Sequence, residues 1–120
     1  GIDRLAAFVS ELETMLGAGA PNMEVVLFGH IGDGNFHINY VGTDRAETFA
    51  AFNARARAIE VQVFELLRRH RGSISAEHGI GLTKKKDLAY SRPETEIDWM
   101  RRLKRVFDPN GTLNPGKIFD

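Results

Sequence analysis

His30 and His37 flank the turn-forming run Gly32-Asp33-Gly34. Asp33-Gly34 is a strong two-residue hairpin signal, because a type I′ turn needs positive φ at both central positions. A hairpin folded about that dipeptide sets His30 opposite His37, Phe28 opposite Asn39 and Gly32 opposite Asn35. Directly opposed residues share a face, with Cβ atoms roughly 5 Å apart. Two imidazoles at that spacing can converge on one metal ion, with metal–nitrogen bonds of about 2.0–2.1 Å. A third ligand is needed, and catalytic zinc sites often use two His and one Glu. Glu77-His78 is the other acid–His pair, followed by Gly79 and Gly81. On this reading Glu77 completes the ligand set and His78 stays free. A free imidazole beside a substrate oxygen suits a general base, since its pKa lies near neutrality. Asn39 lies two residues beyond His37 and so shares its face, where it could donate to a substrate carboxylate or hydroxyl. The blander readings stand beside these. The hairpin histidines could be structural, Glu77 and His78 an ordinary exposed pair, and Asp33 a turn former bonded to its own backbone rather than a further ligand.

Several elements must position these residues. Leu5, Phe8, Val9, Leu12 and Leu16 recur at spacings of three and four, predicting a helix over 3–17 with Asp3 as its N-cap. Its apolar stripe reads as core. Gly17, Gly19 and Pro21 are expected to end it. Strands at 23–30 and 35–41 form the hairpin, whose second face would carry Val25, Leu27, Phe36, Ile38 and Tyr40 onto a core. A long helix follows at about 45–70, with Asp44 and Glu47 resembling a capping box. His70 reads as a solvated residue among Arg68, Arg69 and Arg71 in the last turn, and Gly72 as the C′ stop. Ser73-Ile74-Ser75-Ala76 predicts a short strand running into the Glu77-His78 loop. Lys84-Lys85-Lys86 reads as a solvated loop or helix start. Pro93 opens a helix over about 93–107, with Ile97, Met100, Leu103, Val106 and Phe107 on its apolar face and Trp99 to one side. The tail is rich in turn residues but carries Leu113, Ile118 and Phe119, so it is expected to dock on something. The glycines at 29, 32 and 34 are not a dinucleotide fingerprint, since no helix is predicted after them.

The chain has 120 residues and zero formal net charge. That length suits one domain over 1–120 with a modest core, and the charge balance argues against nucleic acid as the main partner. There is no cysteine, which excludes disulfides, thiolate catalysis and thiolate metal sites. No apolar run approaches the roughly 20 residues of a membrane span. A cytoplasmic location is the default. The start at Gly1 and the small size raise the expectation of a piece of a longer protein. Two long helices beside a small antiparallel sheet predict an α+β layered domain.

Three motifs occur together: Gly29-His30 through Gly32-Asp33-Gly34-Asn35 to His37 and Asn39; Ser75-Ala76-Glu77-His78-Gly79-Ile80-Gly81; and Asp108-Pro109 through Gly111 and Leu113 to Asn114-Pro115-Gly116-Lys117. In this order they resemble the C-terminal domain of the FAD-linked oxidases, and they cover nearly the whole chain. That family includes D-lactate dehydrogenases, the flavin subunit of glycolate oxidase and D-2-hydroxyglutarate dehydrogenase. The resemblance implies a ferredoxin-like α+β cap fragment, an antiparallel sheet packed on helices, set over the isoalloxazine ring of FAD. It implies His30, His37 and Glu77 as ligands of a divalent metal, zinc or manganese. It implies Asn39 as a substrate contact for a small 2-hydroxy acid, and His78 as the base. Asn114 and Lys117 match the tail that returns to the flavin-binding domain, with Asn114 a cofactor-contacting candidate. That upstream domain and the basic residues of the earlier cap segment are not in this sequence. The chain alone is therefore expected to bind no FAD tightly, to turn over nothing, and to cover its exposed sheet edges by self-association. Two other readings remain: a non-catalytic α+β binding or oligomerisation module, and a metal-dependent hydrolase using the same three ligands.

Overall fold

The computed structural model describes residues 2–120. The chain divides into two compact units, Gly1–His70 and Arg71–Asp120. The first holds helix α1 (Leu5–Gly19), strands β1 (Met23–His30) and β2 (Asn35–Gly42), and helix α2 (Phe49–Arg69). The second holds the six-residue 3-10 helix Lys85–Tyr90 and helix α3 (Glu94–Phe107). Helices beside a two-stranded antiparallel sheet make this an α+β fragment.

The core of the first unit follows from the α1 stripe. Phe8 and Leu12 meet Ile59, Val63 and Leu66 of α2, all five buried. Met23, Leu27, Ile38 and Tyr40 pack against this cluster from one face of the sheet. That is the face expected from the two-residue alternation of the strands. Burial pushes the Tyr40 phenol up to about 12, with the nearby Glu60 charge adding to it. Arg55 locks the start of α2 to the α1–β1 connection: its guanidinium donates to both Glu47 carboxylate oxygens (3.1 and 2.6 Å) and to the Pro21 carbonyl.

Several boundaries differ from the sequence expectation. A 3-10 turn at Ile2–Arg4 contains Asp3, so Arg4 occupies the N-cap of α1 with no side-chain cap bond. Gly17 lies inside α1, which runs on to Gly19. Helix α2 starts at Phe49 rather than near 45, because Thr48 caps it by accepting the Ala51 N–H at 3.3 Å. Asp44 instead accepts the Ala46 N–H in a local turn, and Glu47 is committed to Arg55. At the other end the left-handed residue is Arg71 (φ 56°), not Gly72. His70 is not simply solvated: its Nε2 lies 2.9 Å from a Glu11 carboxylate oxygen, and its ring meets Phe8 edge-on at 5.6 Å.

The second unit is built around Ile74, Leu88 and Ile97, which are buried together with Asp87 and Asp108. The expected strand at 73–76 does not form. Ile74 is buried, but its N–H donates to Ser91 Oγ and its carbonyl accepts from Lys84 Nζ, so side chains take the place of a ladder. Of the predicted apolar face of α3, Ile97 is buried and Met100 half-buried. Leu103, Val106 and Phe107 are 56%, 74% and 79% exposed. Asp108 ends α3 and organises the following turn, accepting from the N–H groups of Thr112 (2.9 Å) and Leu113 (3.0 Å) and pairing with Lys104. The Lys104 hydrogen bond, outweighing desolvation and helped by those two amides, holds its carboxyl down at about 2. The tail is tied down through its backbone, the Ile118 N–H donating to the Gly81 carbonyl at 2.8 Å, but of the apolar residues expected to dock only Phe119 is half-buried, while Leu113 and Ile118 stay exposed.

Candidate functional site

The hairpin positions His30, His37 and Asn39. Its register pairs His30 with Asn35, Phe28 with His37 and Val26 with Asn39. The sequence expectation of His30 directly opposite His37 is therefore off by two. The cause is the turn. Ile31–Asp33 form a 3-10 turn closed by Gly34, whose φ is 66° and whose N–H donates to the Ile31 carbonyl at 3.2 Å. Asp33 does not share the positive φ that a two-residue type I′ turn demands, so the loop spans four residues. A slip of one would have turned every side chain over; a slip of two keeps each on its face. His30, His37 and Asn39 thus remain on one side of the sheet. His30 and His37 are diagonal neighbours, a relation that puts Cα atoms roughly 7–8 Å apart. Asp33 sits within the turn, in line with its turn-forming reading.

The same register brings in a residue the sequence pattern did not single out. Phe28 stacks on His37 with ring centroids 4.9 Å apart and planes 17° from parallel. Phe28 is half exposed and His37 half-buried, so the aromatic ring shields one side of the imidazole and fixes its plane. The available signal was an aromatic residue two positions before His30 and so on the histidine face, but it needed the correct register to name its partner. Gly29 is required where it stands. A Cβ there would lie 2.1 Å from the Asn35 carbonyl oxygen, so only glycine lets the second strand return this closely.

Glu77 and His78 lie in the second unit, exposed on an irregular segment. A Glu77 carboxylate oxygen and a His78 ring nitrogen fall within 4.8 Å of each other. The segment is braced. Ser75 Oγ donates to the Gly79 carbonyl at 2.7 Å, closing a bridge around the pair. Gly79 (φ 72°) and Gly81 (φ 54°) turn the chain on its far side. Lys85 opens the 3-10 helix, which bears out the helix-start reading of the lysine run, and it donates to the Gly116 carbonyl and pairs with Asp120 in the tail. Asn114 is exposed in the tail with a left-handed backbone (φ 48°), its carbonyl accepting the Lys117 N–H at 3.2 Å.

Each unit offers groups of the kind that hold divalent cations. In the first, two imidazoles share one sheet face, that of His37 stacked on Phe28; in the second, Glu77 offers a carboxylate beside the His78 ring. Nitrogen and oxygen ligands without sulfur fit zinc, manganese or iron. The glycines at 29, 32 and 34 form no phosphate cradle, because strand β2 follows them and not a helix N-terminus.

Residues 2–118 match the family model for FAD linked oxidases, C-terminal domain. The chain belongs to this family. Among its relatives, a D-2-hydroxyglutarate dehydrogenase from Stutzerimonas stutzeri is 45% identical over 118 residues, covering 98% of this chain and 25% of the relative. One from Xanthomonas citri pv. viticola is 46% identical over 119 residues, again 25% of the relative. The mitochondrial enzyme of that name from Bos taurus is 43% identical over 117 residues, 20% of its length. This FAD-linked oxidase domain thus spans a quarter or less of the relatives it matches. No helix of the described residues is long and apolar enough to cross a membrane.

Proposed function

We propose that this chain is the substrate- and metal-bearing part of an FAD-dependent dehydrogenase acting on a small 2-hydroxy acid of the D-2-hydroxyglutarate, D-lactate or glycolate class. The observation that carries this reading is the near-complete match to the FAD-linked oxidase C-terminal domain, with Glu77 and His78 side by side in a braced segment. His30, His37 and Glu77 are the proposed ligands of a divalent ion, zinc or manganese. When bound, the ion supplies Lewis acidity toward the substrate oxygens and FAD supplies a two-electron acceptor. Asn39 donates its amide N–H to the substrate carboxylate and so fixes which end of the molecule faces the base. A ring nitrogen of His78 takes the hydroxyl proton. The C2 hydrogen leaves with its electron pair, and the product is the 2-oxo acid. Phe28 keeps the His37 ring in one plane, which lowers the ordering cost of ligation. Asn114 is a proposed flavin contact.

The rest of the parent protein is the proposed partner, with the FAD-binding domain upstream. The uncovered stripe of Leu103, Val106 and Phe107 on α3 supports a covering partner of this kind, since large exposed apolar patches mark interaction surfaces. The proposed compartment is the cytoplasm.

The full-length parent tests this reading. Purified and assayed for dye reduction, it should oxidise one of D-2-hydroxyglutarate, D-lactate or glycolate and carry a divalent metal. His78→Asn should lower kcat by about 10²–10⁴. His37→Ala and Glu77→Ala should each lose the metal. Unchanged metal content in both variants means the ligand set is wrong. A kcat for His78→Asn within about threefold of wild type means the base is wrong.

A further inference from the structure

The segment that carries Glu77 and His78 has no helix or strand to fix it. Catalytic side chains work only where productive geometry is held to a fraction of an ångström. Something other than secondary structure must therefore orient the pair. The bond that spans it is the one from Ser75 Oγ to the Gly79 carbonyl, at 2.7 Å. It closes a short bridge with Glu77 midway and His78 joined directly to the acceptor residue. Two further bonds anchor the flanks. Lys84 Nζ donates to the Ile74 carbonyl at 2.8 Å, and the Ile118 N–H to the Gly81 carbonyl at 2.8 Å. Ile74 itself is buried, so one end of the bridge stands on the core of its unit. Ser75 is half-buried and its N–H is held at 3.3 Å by Ser73 Oγ, which leaves its own hydroxyl directed across the bridge.

We propose that Ser75 is a positioning residue for the reaction: its hydroxyl, by holding the Gly79 carbonyl, sets the direction in which Glu77 and His78 face the substrate. This rests on the proposed roles of that pair. Ser75 touches neither substrate nor metal and acts through the backbone. Gly79 is exposed, so loss of the bond leaves its carbonyl to water and changes the alignment of the pair more than the stability of the fold.

The test uses the full-length parent with Ser75→Ala, Ser75→Thr, Ser75→Cys and, as a reference, His78→Asn. Ser75→Ala should lower kcat by about 10–100-fold, in line with the sensitivity of catalysis to small misplacements. Its acid limb in the pH profile should stay that of wild type, because the base is still present. Backbone amides at Gly79–Gly81 should exchange faster, and Ser75→Thr should restore both kcat and protection. If Ser75→Ala also lowers Tm by more than about 4 °C, Ser75→Cys decides: it keeps the volume but is a weak donor, so a kcat like that of alanine supports positioning and a kcat like that of wild type overturns it. If His78→Asn keeps kcat and the acid limb, the functional reading itself fails. If His78→Asn is impaired while Ser75→Ala stays within about threefold of wild type, or threonine restores nothing, the role given to Ser75 is wrong.

Discussion

Gly29→Ala probes the turn that sets the site. A methyl at Gly29 would stand 2.1 Å from the Asn35 carbonyl oxygen and 3.0 Å from both the Asn35 carbonyl carbon and Phe36 Cα. Ordinary contact begins at 3.4 Å, so the strands must open by more than an ångström where His30 pairs with Asn35. All three atoms are backbone, so no side-chain rotation relieves the clash. Overpacking of this kind costs about 1–3 kcal/mol. A backbone conformation that L side chains rarely adopt adds about 1–3 kcal/mol. The expected loss is therefore about 3 kcal/mol or more, a large part of the stability of a small domain. Gly32→Ala is the control, because nothing lies within 4 Å of its added Cβ and its φ is not positive. It should change stability by less than about 1 kcal/mol. Urea unfolding reads the difference: with a slope of about 1–3 kcal/mol/M, the Gly29→Ala midpoint should fall by about 1 M or more. Hydrogen exchange of the β1 and β2 amides should rise in the same variant, and the His37 ring signals should move as its stack on Phe28 is disturbed. Equal midpoints for the two variants would falsify the claim that close strand return at Gly29 sets the hairpin register.

Two further outcomes follow from the packing and the charges. Leu12→Ala empties a position that is 1% exposed between α1 and α2 and should cost about 2–5 kcal/mol in the same urea assay. Asp108 has its carboxyl lowered from 3.8 to about 2 in the folded chain. Its contribution is therefore present above the unfolded value and is lost as pH falls through about 2. Asp108→Asn should flatten the fall in thermal stability between about pH 4 and pH 2 that wild type shows. A variant with the same acid slope as wild type would remove Asp108 from the account.

The sequence by itself determined the face on which each hairpin residue lies. The two-residue period of a strand is local, and it put Leu27, Ile38 and Tyr40 toward the core and His30, His37 and Asn39 on the other side. It also determined α1, because Leu12 and its neighbours could bury only as one stripe, and it carried the three motifs that mark the FAD-linked oxidase family. Tertiary structure decided what depended on competition between partners. The turn at 31–34 could close in more than one way, and close strand return at Gly29 with a left-handed Gly34 chose the four-residue form, so that His37 faces Phe28 and not His30. Thr48 displaced Asp44 as the cap of α2 because Glu47 was already taken by Arg55. Residues 73–76 alternate like a strand, yet Ser91 and Lys84 satisfy the Ile74 backbone in place of a ladder. That exchange is invisible to local periodicity, since the accepting Ser91 hydroxyl and the donating Lys84 ammonium both come from residues well beyond the segment. It leaves Glu77 and His78 on a segment whose shape is set by side-chain bonds, with Ser75 across the pair.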